Sequence, residues 1–364
     1  MVVHFIKTKP IGLIVVGNLT LSFAIMIKDP QKVKVFVTRD LPGTGINLLQ
    51  KEGFNISVWP HDRPMNPTEL IEEGKKANAI LTLLTDVIDV KFLNECRHLD
   101  IISQFAVGYD NINIPEATKL GIAVGYTPGA MSDATADAAF GLMIAASRKM
   151  FYMHKRIARG EWTFFRPKAD LGMELKNKTL GIFGLGRIGM QMALRCKGAY
   201  NMKIIYHNRR PNKDAEKILG ATLVSFEDLL AQSDVLSVHC ALNDETRGAF
   251  NKDSFSKMKR TSIFVNTARG GVHNEGDLIE ALKTGKIWGA GLDVTNPEPM
   301  EANNPLLSMA SVAVLPHIGS QTEEARGEMS RLAAMNIIEF YKNNRIPNVV
   351  NPETLTMAKP GLTA

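Results

Sequence analysis

Short apolar runs alternate with longer amphipathic stretches through most of the chain. In the first part of the sequence these runs predict strands at residues 34–37, 55–58, 79–83, 99–103 and 122–124. Amphipathic stretches at 45–52 and 67–76 predict helices between the first three of these strands. Strands that alternate with helices in this way indicate a parallel sheet with helices on both faces.

A second series of the same kind begins at Thr179. Its apolar runs predict strands at residues 179–183, 203–206, 235–238, 263–266, 289–292 and 312–315. A long helix is predicted after the last strand, at 322–341. Between the two series lies an Ala- and Met-rich stretch, 132–160, for which we predict one helix with Ser132 or Asp133 as its N-cap. The length of that helix suits either a connection between domains or packing in a dimer.

Composition narrows the function classes. With 364 residues the chain is too long for one ordinary core and suits two domains. The net charge is +6, but no dense basic run has interleaved aromatics, so we expect no nucleic-acid partner. The spacings of Cys96, Cys196 and Cys240 fit neither a disulfide framework nor a zinc site. We therefore expect no bound metal and a location in the reducing cytoplasm.

The N-terminal segment stands apart from both series. Residues 11–27 form a largely apolar run that could be an export signal, but no small-residue cleavage site follows it. The run is also short for a membrane helix and contains polar residues. Met26 as the true start is another interpretation. We expect residues 1–32 to be an extension that is disordered or not native, residues 352–364 to be a tail, and the membrane not to be a partner.

A glycine-rich turn follows the first strand of the second series. A strand, the pattern Gly-x-Gly-x-x-Gly and a helix occur there in order. The first glycine permits the tight turn, the second lets the backbone approach a pyrophosphate, and the third lets the helix pack on the strand. Free N–H groups at the helix N-terminus favour anions. We expect a dinucleotide site, rather than a turn with only a packing role, at Gly184, Leu185, Gly186, Arg187, Ile188 and Gly189.

The end of the next strand indicates the type of dinucleotide. Enzymes that use NAD usually have Asp or Glu there, which bonds the ribose 2′-hydroxyl. This chain has Asn208, followed by Arg209 and Arg210. Two arginines can bind a 2′-phosphate through charge-assisted hydrogen bonds, whereas a carboxylate would repel it. We expect NADP(H) to be preferred, with NAD(H) as the alternative, unless the two arginines are merely solvated surface residues.

Three chemically capable side chains follow later strands of the second series. Arg269 lies after residues 263–266, Glu298 after 289–292 and His317 after 312–315. Ligands of open α/β sheets bind outside the carboxyl ends of the strands. Each residue alone could be structural, as an ion pair, a turn residue or a buried histidine. Together at successive strand ends they indicate a catalytic site.

Five segments in order resemble the D-2-hydroxyacid dehydrogenase family, in its glyoxylate/hydroxypyruvate reductase branch. They are Val107-Gly-Tyr-Asp-Asn-Ile, the loop Gly184 to Gly189, Asn266-Thr-Ala-Arg-Gly-Gly, Gly291-Leu-Asp-Val-Thr-Asn-Pro-Glu-Pro and Pro316-His-Ile-Gly-Ser. The resemblance covers residues 33–351. It implies two doubly wound parallel-sheet domains, with a Rossmann-type cofactor domain, 132–322, inserted into a flavodoxin-like substrate domain, 33–131 and 323–351.

The resemblance also assigns roles to single residues. His317 matches the acid/base histidine, Glu298 the carboxylate that pairs with it, and Arg269 the arginine that binds the substrate carboxylate and polarises the keto oxygen. A histidine titrates near neutrality, and the planar fork of an arginine suits a 2-keto acid. The remaining substrate contacts would come from Val107, Gly108 and Ser320. Further cofactor contacts would come from Cys240, Thr246, Thr267, Ala268, Asp293 and Gly319.

The reaction implied is the NADPH-dependent reduction of glyoxylate or hydroxypyruvate, with His317 as proton donor. Two alternatives remain: reduction of 2-ketogluconate or another 2-keto acid, and a dinucleotide-sensing binding protein on the same fold. The resemblance further implies a homodimer, in which aromatics at 162–165 reach the partner. Ala241 stands where many relatives have proline, which suggests a small change in the cleft. Phe105 is either a wall of the substrate pocket or a core residue.

Overall fold

The computed structural model describes residues 29–357, together with the backbone of two strands, β1 (Leu13–Val16) and β2 (Leu19–Ser22). These strands pair in antiparallel register, with Val16 opposite Leu19. The rest of the apolar run at 11–27 lies outside the described residues. Within the part of the chain that is described, no helix is long and apolar enough to cross a membrane.

The chain forms two compact units. One contains the residues up to Pro128 and those from Gly327 onward, and the other is the continuous segment Gly129–Arg326. The second unit is therefore inserted into the first along the sequence. The divisions lie at 128/129 and 326/327, where the sequence predicts 131/132 and 322/323, and the second one falls inside the last long helix.

The first unit is built on a five-stranded parallel sheet. Its strands are β3 (Lys34–Val37), β4 (Asn55–Val58), β5 (Ala79–Thr82), β6 (Ile101–Gln104) and β7 (Ala123–Gly125). The helices between them are α1 (Gly45–Lys51), α2 (Pro67–Gly74), α3 (Val90–Glu95) and α4 (Ile114–Lys119). The order β4-β3-β5-β6-β7 is that of a flavodoxin-like fold, as the resemblance implied.

The second unit is built on a seven-stranded parallel sheet. Its strands are β8 (Thr179–Phe183), β9 (Lys203–His207), β10 (Thr222–Leu223), β11 (Val235–Val238), β12 (Ile263–Asn266), β13 (Gly289–Leu292) and β14 (Val312–Val314). Its helices are α5 (Ser132–Arg148), α6 (Met150–Ala158), α7 (Arg187–Tyr200), α8 (Lys213–Leu219), α9 (Phe226–Gln232), α10 (Lys252–Lys257) and α11 (Glu275–Lys283). The order β10-β9-β8-β11-β12-β13-β14 contains the Rossmann order, which confirms that expectation.

Burial explains why the central strands are short apolar runs. Every residue of β11, β12 and β13 is buried, because helices cover both faces of a parallel sheet. On one face α5 packs so closely that a Cβ on Gly291 would lie 2.8 Å from the Cβ of Leu142. The carboxyl ends of all these strands meet at one edge, where the candidate site lies.

The helix predicted over 132–160 is in fact two helices. Lys149 has φ +56 and its N–H bonds back to Ala145, so α5 ends there in a left-handed residue and α6 begins at Met150. The predicted N-caps were also wrong, because Met131 is the N-cap and no side chain caps the helix. Asp133 lies inside the first turn, where its carboxylate forms an ion pair with Arg195.

The last helix, α12 (Glu323–Asn343), runs through the second division of the chain. Its later part belongs to the first unit, where Ser103 donates to the carbonyl of Ala333 and Tyr341 donates to the buried Asp100. These bonds explain why the unit boundary lies within the helix rather than before it. Short 3₁₀ helices are found at Pro30–Lys32, Gly270–Val272, Pro305–Ser308 and Pro352–Leu355.

Candidate active site

The glycine loop joins β8 to α7, and its three glycines have different surroundings. Gly184 has φ +94, and a Cβ there would lie 2.7 Å from the backbone nitrogen of Cys240. A Cβ on Gly189 would lie 2.9 Å from the carbonyl oxygen of Gly184. At Gly186, in contrast, no heavy atom lies within 4 Å of the Cβ position. The open space at Gly186 is where a pyrophosphate could approach the helix N-terminus, so the loop fits a dinucleotide.

A cavity of about 720 Å³ opens beside this loop at the carboxyl ends of β8, β9 and β11. Its lining contains eight of the predicted cofactor residues: Gly184, Leu185, Gly186, Asn208, Arg209, Arg210, Cys240 and Thr246. His239 and Glu245 also line it, although neither was predicted. Three groups of predicted residues, from three parts of the sequence, are thus brought to one concave surface.

Asn208 shapes the glycine loop as well as lining the cavity. Its side-chain oxygen accepts a hydrogen bond from the N–H of Leu185 at 2.6 Å, and its amide nitrogen donates to the Leu185 carbonyl at 3.3 Å. Asn212 donates to the same carbonyl at 3.0 Å. An amide can serve both backbone groups of Leu185, whereas a carboxylate can only accept. The hydrogen bonds to Leu185 therefore explain an asparagine at position 208 independently of the cofactor.

The two arginines lie at the exposed rim of the cavity. The guanidinium of Arg209 is 3.9 Å from the carboxylate of Glu245, and both side chains are exposed. An exposed pair at this distance is worth little energy, so the guanidinium can exchange this partner for a phosphate. Arg210 is exposed beside it. The rim therefore carries two positive charges and one negative charge.

His239 was missed by the sequence analysis. It follows β11, with Ser237 Oγ 2.8 Å from Nε2 and Thr267 Oγ1 3.3 Å from Nδ1. Burial lowers the pKa of His239 to about 3, so the ring is neutral where it faces the cavity. Burial also raises the pKa of the Cys240 thiol to about 11, so it stays protonated. A histidine at a strand end was the signal that drew attention to His317, and the same signal was present here.

Thr246 and Ala268 hold the backbone around the cavity. The hydroxyl of Thr246 donates to the carbonyl of Ala241 at 2.7 Å and accepts from the N–H of Asn243 at 2.9 Å, which closes the loop after β11. Ala268 is buried and donates its N–H to the side chain of Asn266 at 2.9 Å. Thr246 and Ala268 therefore each form hydrogen bonds that stabilise the protein backbone.

Glu298 and His317 form a close pair. His317 Nδ1 lies 2.5 Å from Glu298 Oε1, and both side chains are partly exposed. Burial alone would raise the pKa of Glu298, but the hydrogen bond and charge of His317, the N–H of Thr295 and the charge of Arg269 together lower it. The carboxylate is therefore ionised at neutral pH and can accept a hydrogen bond from Nδ1 of His317.

Asp293 fixes the turn that presents His317. Its backbone carbonyl accepts the N–H of His317 at 2.9 Å, and its carboxylate accepts the N–H groups of Ile318 and Gly319, each at 2.8 Å. Within this turn His317 has φ +54, in the left-handed region. A Cβ on Gly319 would lie 2.9 Å from Asp293 Oδ2, so this position requires a glycine. Burial raises the pKa of Asp293, while the two N–H groups act in the opposite sense.

Arg269 leaves the end of β12, and its Nη1 donates to the carbonyl of Ala268 at 2.8 Å. Its charge contributes to lowering the pKa of Glu298, so the three predicted catalytic residues share one electrostatic environment. Ser320 is partly exposed, three residues beyond His317. In the described residues no cluster of three or more His, Cys, Asp or Glu could hold a metal ion.

Val107 and Gly108 belong to the first unit and follow β6. The side chain of Gln104 donates to the carbonyl of Gly108 at 3.3 Å and to the side chain of Asn111 at 2.8 Å. Phe105 is buried in this unit, with 8% of its surface exposed, so of its two predicted roles the structure favours the core.

Comparison with known proteins agrees with this geometry. Residues 140–319 match the family model described as D-isomer specific 2-hydroxyacid dehydrogenase, NAD binding domain. A glyoxylate reductase from Thermococcus litoralis is 44% identical over 333 residues, which is 90% of this chain and 100% of that protein. The crystal structure of a glyoxylate reductase from Paecilomyes thermophila superposes with a TM-score of 0.80 at 34% identity, covering 87% of this chain and 99% of that one.

A further solved structure contains ligands. It is an NADPH-dependent glyoxylate/hydroxypyruvate reductase from Sinorhizobium meliloti in complex with NADP and malonate, with a TM-score of 0.74 and 27% identity over 88% of this chain and 98% of that one. The family, the two sheets and the glycine loop all agree. The chain belongs to the D-isomer specific 2-hydroxyacid dehydrogenase family, in its glyoxylate reductase branch, and is an NAD(P)-dependent oxidoreductase.

Proposed function

We propose that the protein reduces glyoxylate or hydroxypyruvate to the D-2-hydroxy acid with NADPH, and that His317 donates the proton. The observation that carries the proposal is the 2.5 Å contact between His317 and Glu298, next to Arg269. Relatives named glyoxylate reductase support the substrate class. Hydride at C2 of the keto acid is the chemistry that a bound nicotinamide supplies.

The protein's own residues have separate tasks in this reaction. Arg269 binds the substrate carboxylate and stabilises the negative charge that develops on the keto oxygen. Because Glu298 occupies Nδ1 of His317, the proton passes to the substrate from Nε2. The ionised Glu298 accepts a hydrogen bond from Nδ1 and so orients the imidazole before transfer.

NADPH is the cofactor we propose. No carboxylate occupies position 208, and Arg209 and Arg210 line the same cavity as Gly186. The Sinorhizobium relative was crystallised with NADP, which supports the choice. Asn208 instead holds the Leu185 backbone, and Arg209 would exchange Glu245 for the 2′-phosphate.

One set of assays tests the proposal. Glyoxylate, hydroxypyruvate, 2-ketogluconate and pyruvate are each offered with NADPH and with NADH, to the wild type and to His317→Ala. We expect turnover of the first two substrates, a lower KM for NADPH than for NADH, and loss of turnover in the variant with unchanged NADPH binding. Absence of turnover with every 2-keto acid would refute the enzyme function. Equal KM values for the two cofactors would refute the cofactor preference.

We also propose a homodimer. The segment that follows α6 exposes Trp162, Phe164 and Phe165, with 74%, 65% and 85% of their surfaces exposed. Neighbouring exposed aromatics of this kind mark interaction surfaces. Sedimentation velocity should give twice the mass of the chain, and a monomer at micromolar concentration would refute the assembly.

A further inference from the structure

The turn that carries Arg269 is tied to the side chain of Asn266, the last residue of β12. Asn266 is completely buried. Its Oδ1 accepts the N–H of Ala268 at 2.9 Å, and its Nδ2 donates to the carbonyl of Arg269 at 2.9 Å. The same Nδ2 lies 3.1 Å from Nδ1 of His273. Both N–H donors of the amide are therefore used, and the backbone on each side of the Ala268–Arg269 peptide is held.

His273 takes part as an acceptor. The bond from Ala268 fixes the orientation of the Asn266 amide, so the atom that faces His273 is a donor. Nδ1 of His273 must then be unprotonated, and the ring proton lies on Nε2. Burial lowers the pKa of His273 to about 4, which agrees with a neutral ring. If His273 were protonated, its Nδ1–H would face the N–H of Asn266 Nδ2, and because both groups are donors the hydrogen bond would be lost.

His273 lowers the stability of the folded state in a way that an apolar residue would not. Only 1% of its surface is exposed, and Nε2 is buried without a hydrogen-bond partner among the described residues. A buried donor without a partner destabilises the folded state. The ring packs against Phe264, at 5.7 Å between ring centroids, as an apolar side chain could do equally well. What the imidazole adds to this packing is the acceptor for Asn266.

The turn has little freedom besides these bonds. A Cβ on Gly270 would lie 1.8 Å from the carbonyl oxygen of Thr295, so the backbone after Arg269 is in close contact with the following loop. The guanidinium also bonds back to Ala268. A shift of the Asn266 amide would therefore move the Arg269 side chain, because the turn has no room to adjust.

We propose that Asn266 and His273 are a buried positioning pair that sets the geometry of Arg269 for the substrate carboxylate. His273 acts through Asn266 as the acceptor that fixes the amide. The inference rests on the proposed function, because it assumes that Arg269 binds the keto acid. Neither residue contacts the substrate, so both are positioning residues.

Three variants test the pair. Asn266→Asp retains the shape and the acceptor for Ala268 but removes both donors. His273→Leu retains apolar volume without an acceptor, and His273→Gln retains an acceptor. We expect Asn266→Asp and His273→Leu to raise the KM for glyoxylate about tenfold, the effect of losing one hydrogen bond between Arg269 and the substrate carboxylate. NADPH affinity, measured by fluorescence titration, should change less than about twofold on the same scale. His273→Gln should restore most of the glyoxylate affinity.

A matched control separates positioning from loss of stability. Tyr341→Phe removes a buried hydrogen bond in the other unit and should lower the unfolding temperature without changing either KM. If Asn266→Asp does not fold, the comparison of His273→Leu with His273→Gln carries the test. The inference is overturned if His273→Leu has the glyoxylate KM of the wild type. It is equally overturned if glyoxylate and NADPH binding weaken together in proportion to stability.

The failure of this inference is distinguishable from that of the proposed function. If the wild type reduces no 2-keto acid, the proposed function is wrong and the pair has no substrate to serve. If the wild type is active and Arg269→Ala loses glyoxylate affinity while the pair's variants do not, only the inference is wrong.

Discussion

The second and third glycines of the cofactor loop should respond in opposite ways to the same added methyl group. At Gly186 the Cβ position has no neighbour within 4 Å, and φ is −95. At Gly189 the Cβ would lie 2.9 Å from the Gly184 carbonyl and 3.1 Å from the side chain of Ile182. Gly186→Ala should therefore affect binding, whereas Gly189→Ala should affect stability.

The magnitudes follow from these distances. At Gly186 the loss of a favourable N-cap residue and the reduced entropy of the unfolded chain nearly cancel, so stability should change by no more than about 0.5 kcal/mol. At Gly189 the methyl group forces apart a backbone carbonyl and a buried strand residue. Overpacking of this kind costs about 1–3 kcal/mol, partly offset by the helix propensity of alanine. The methyl group on residue 186 occupies the space of the pyrophosphate and should weaken NADPH at least about tenfold.

Two measurements on each variant decide the matter. Urea unfolding without cofactor should give wild-type stability for Gly186→Ala and a lower free energy of unfolding for Gly189→Ala. Fluorescence titration with NADPH should show the larger loss of affinity for Gly186→Ala. If Gly186→Ala binds NADPH within about twofold of the wild type, the pyrophosphate does not lie against this glycine and our placement of the cofactor is wrong.

Two further predictions concern single hydrogen bonds. Glu298→Gln removes the charge from the hydrogen bond to Nδ1 of His317, so reduction of glyoxylate should slow about tenfold or more. A kcat/KM for glyoxylate within about twofold of the wild type would contradict the pairing. Tyr341→Phe removes the 2.9 Å bond to buried Asp100, where burial raises the pKa of the tyrosine and keeps it protonated. We expect a loss of about 1–3 kcal/mol in urea unfolding with unchanged kinetics, and an unchanged midpoint would show that this bond contributes nothing.

The sequence pattern was most informative where local and global requirements agree. Strands such as Ile263–Asn266 are fully buried, so their apolar character is continuous and their limits are sharp. The break at Lys149 left no such trace, because no glycine or asparagine stands at the left-handed position. Helices of six residues, such as Val90–Glu95, are too short to show a period and were not predicted.

In the candidate site, too, the sequence pattern indicated some features and not others. Arg269, Glu298 and His317 could be found because each follows a recognisable strand. The bonds that hold them could not be found in that way, because they join residues through the fold. Asp293 was predicted to contact the cofactor, but no pattern showed that its carboxylate binds N–H groups 25 and 26 residues later in the chain. Nothing in a linear pattern indicates that His273 is buried against an amide rather than exposed on a helix.

The left-handed backbone of His317 has a consequence for how this protein could change under selection. A residue other than glycine in that region costs roughly 1 kcal/mol, and asparagine is among the few that tolerate it. A screen for heat-resistant variants would therefore favour glycine or asparagine at position 317. Either replacement would eliminate the proposed proton donor. Thermal tolerance and turnover are thus expected to oppose each other at this position.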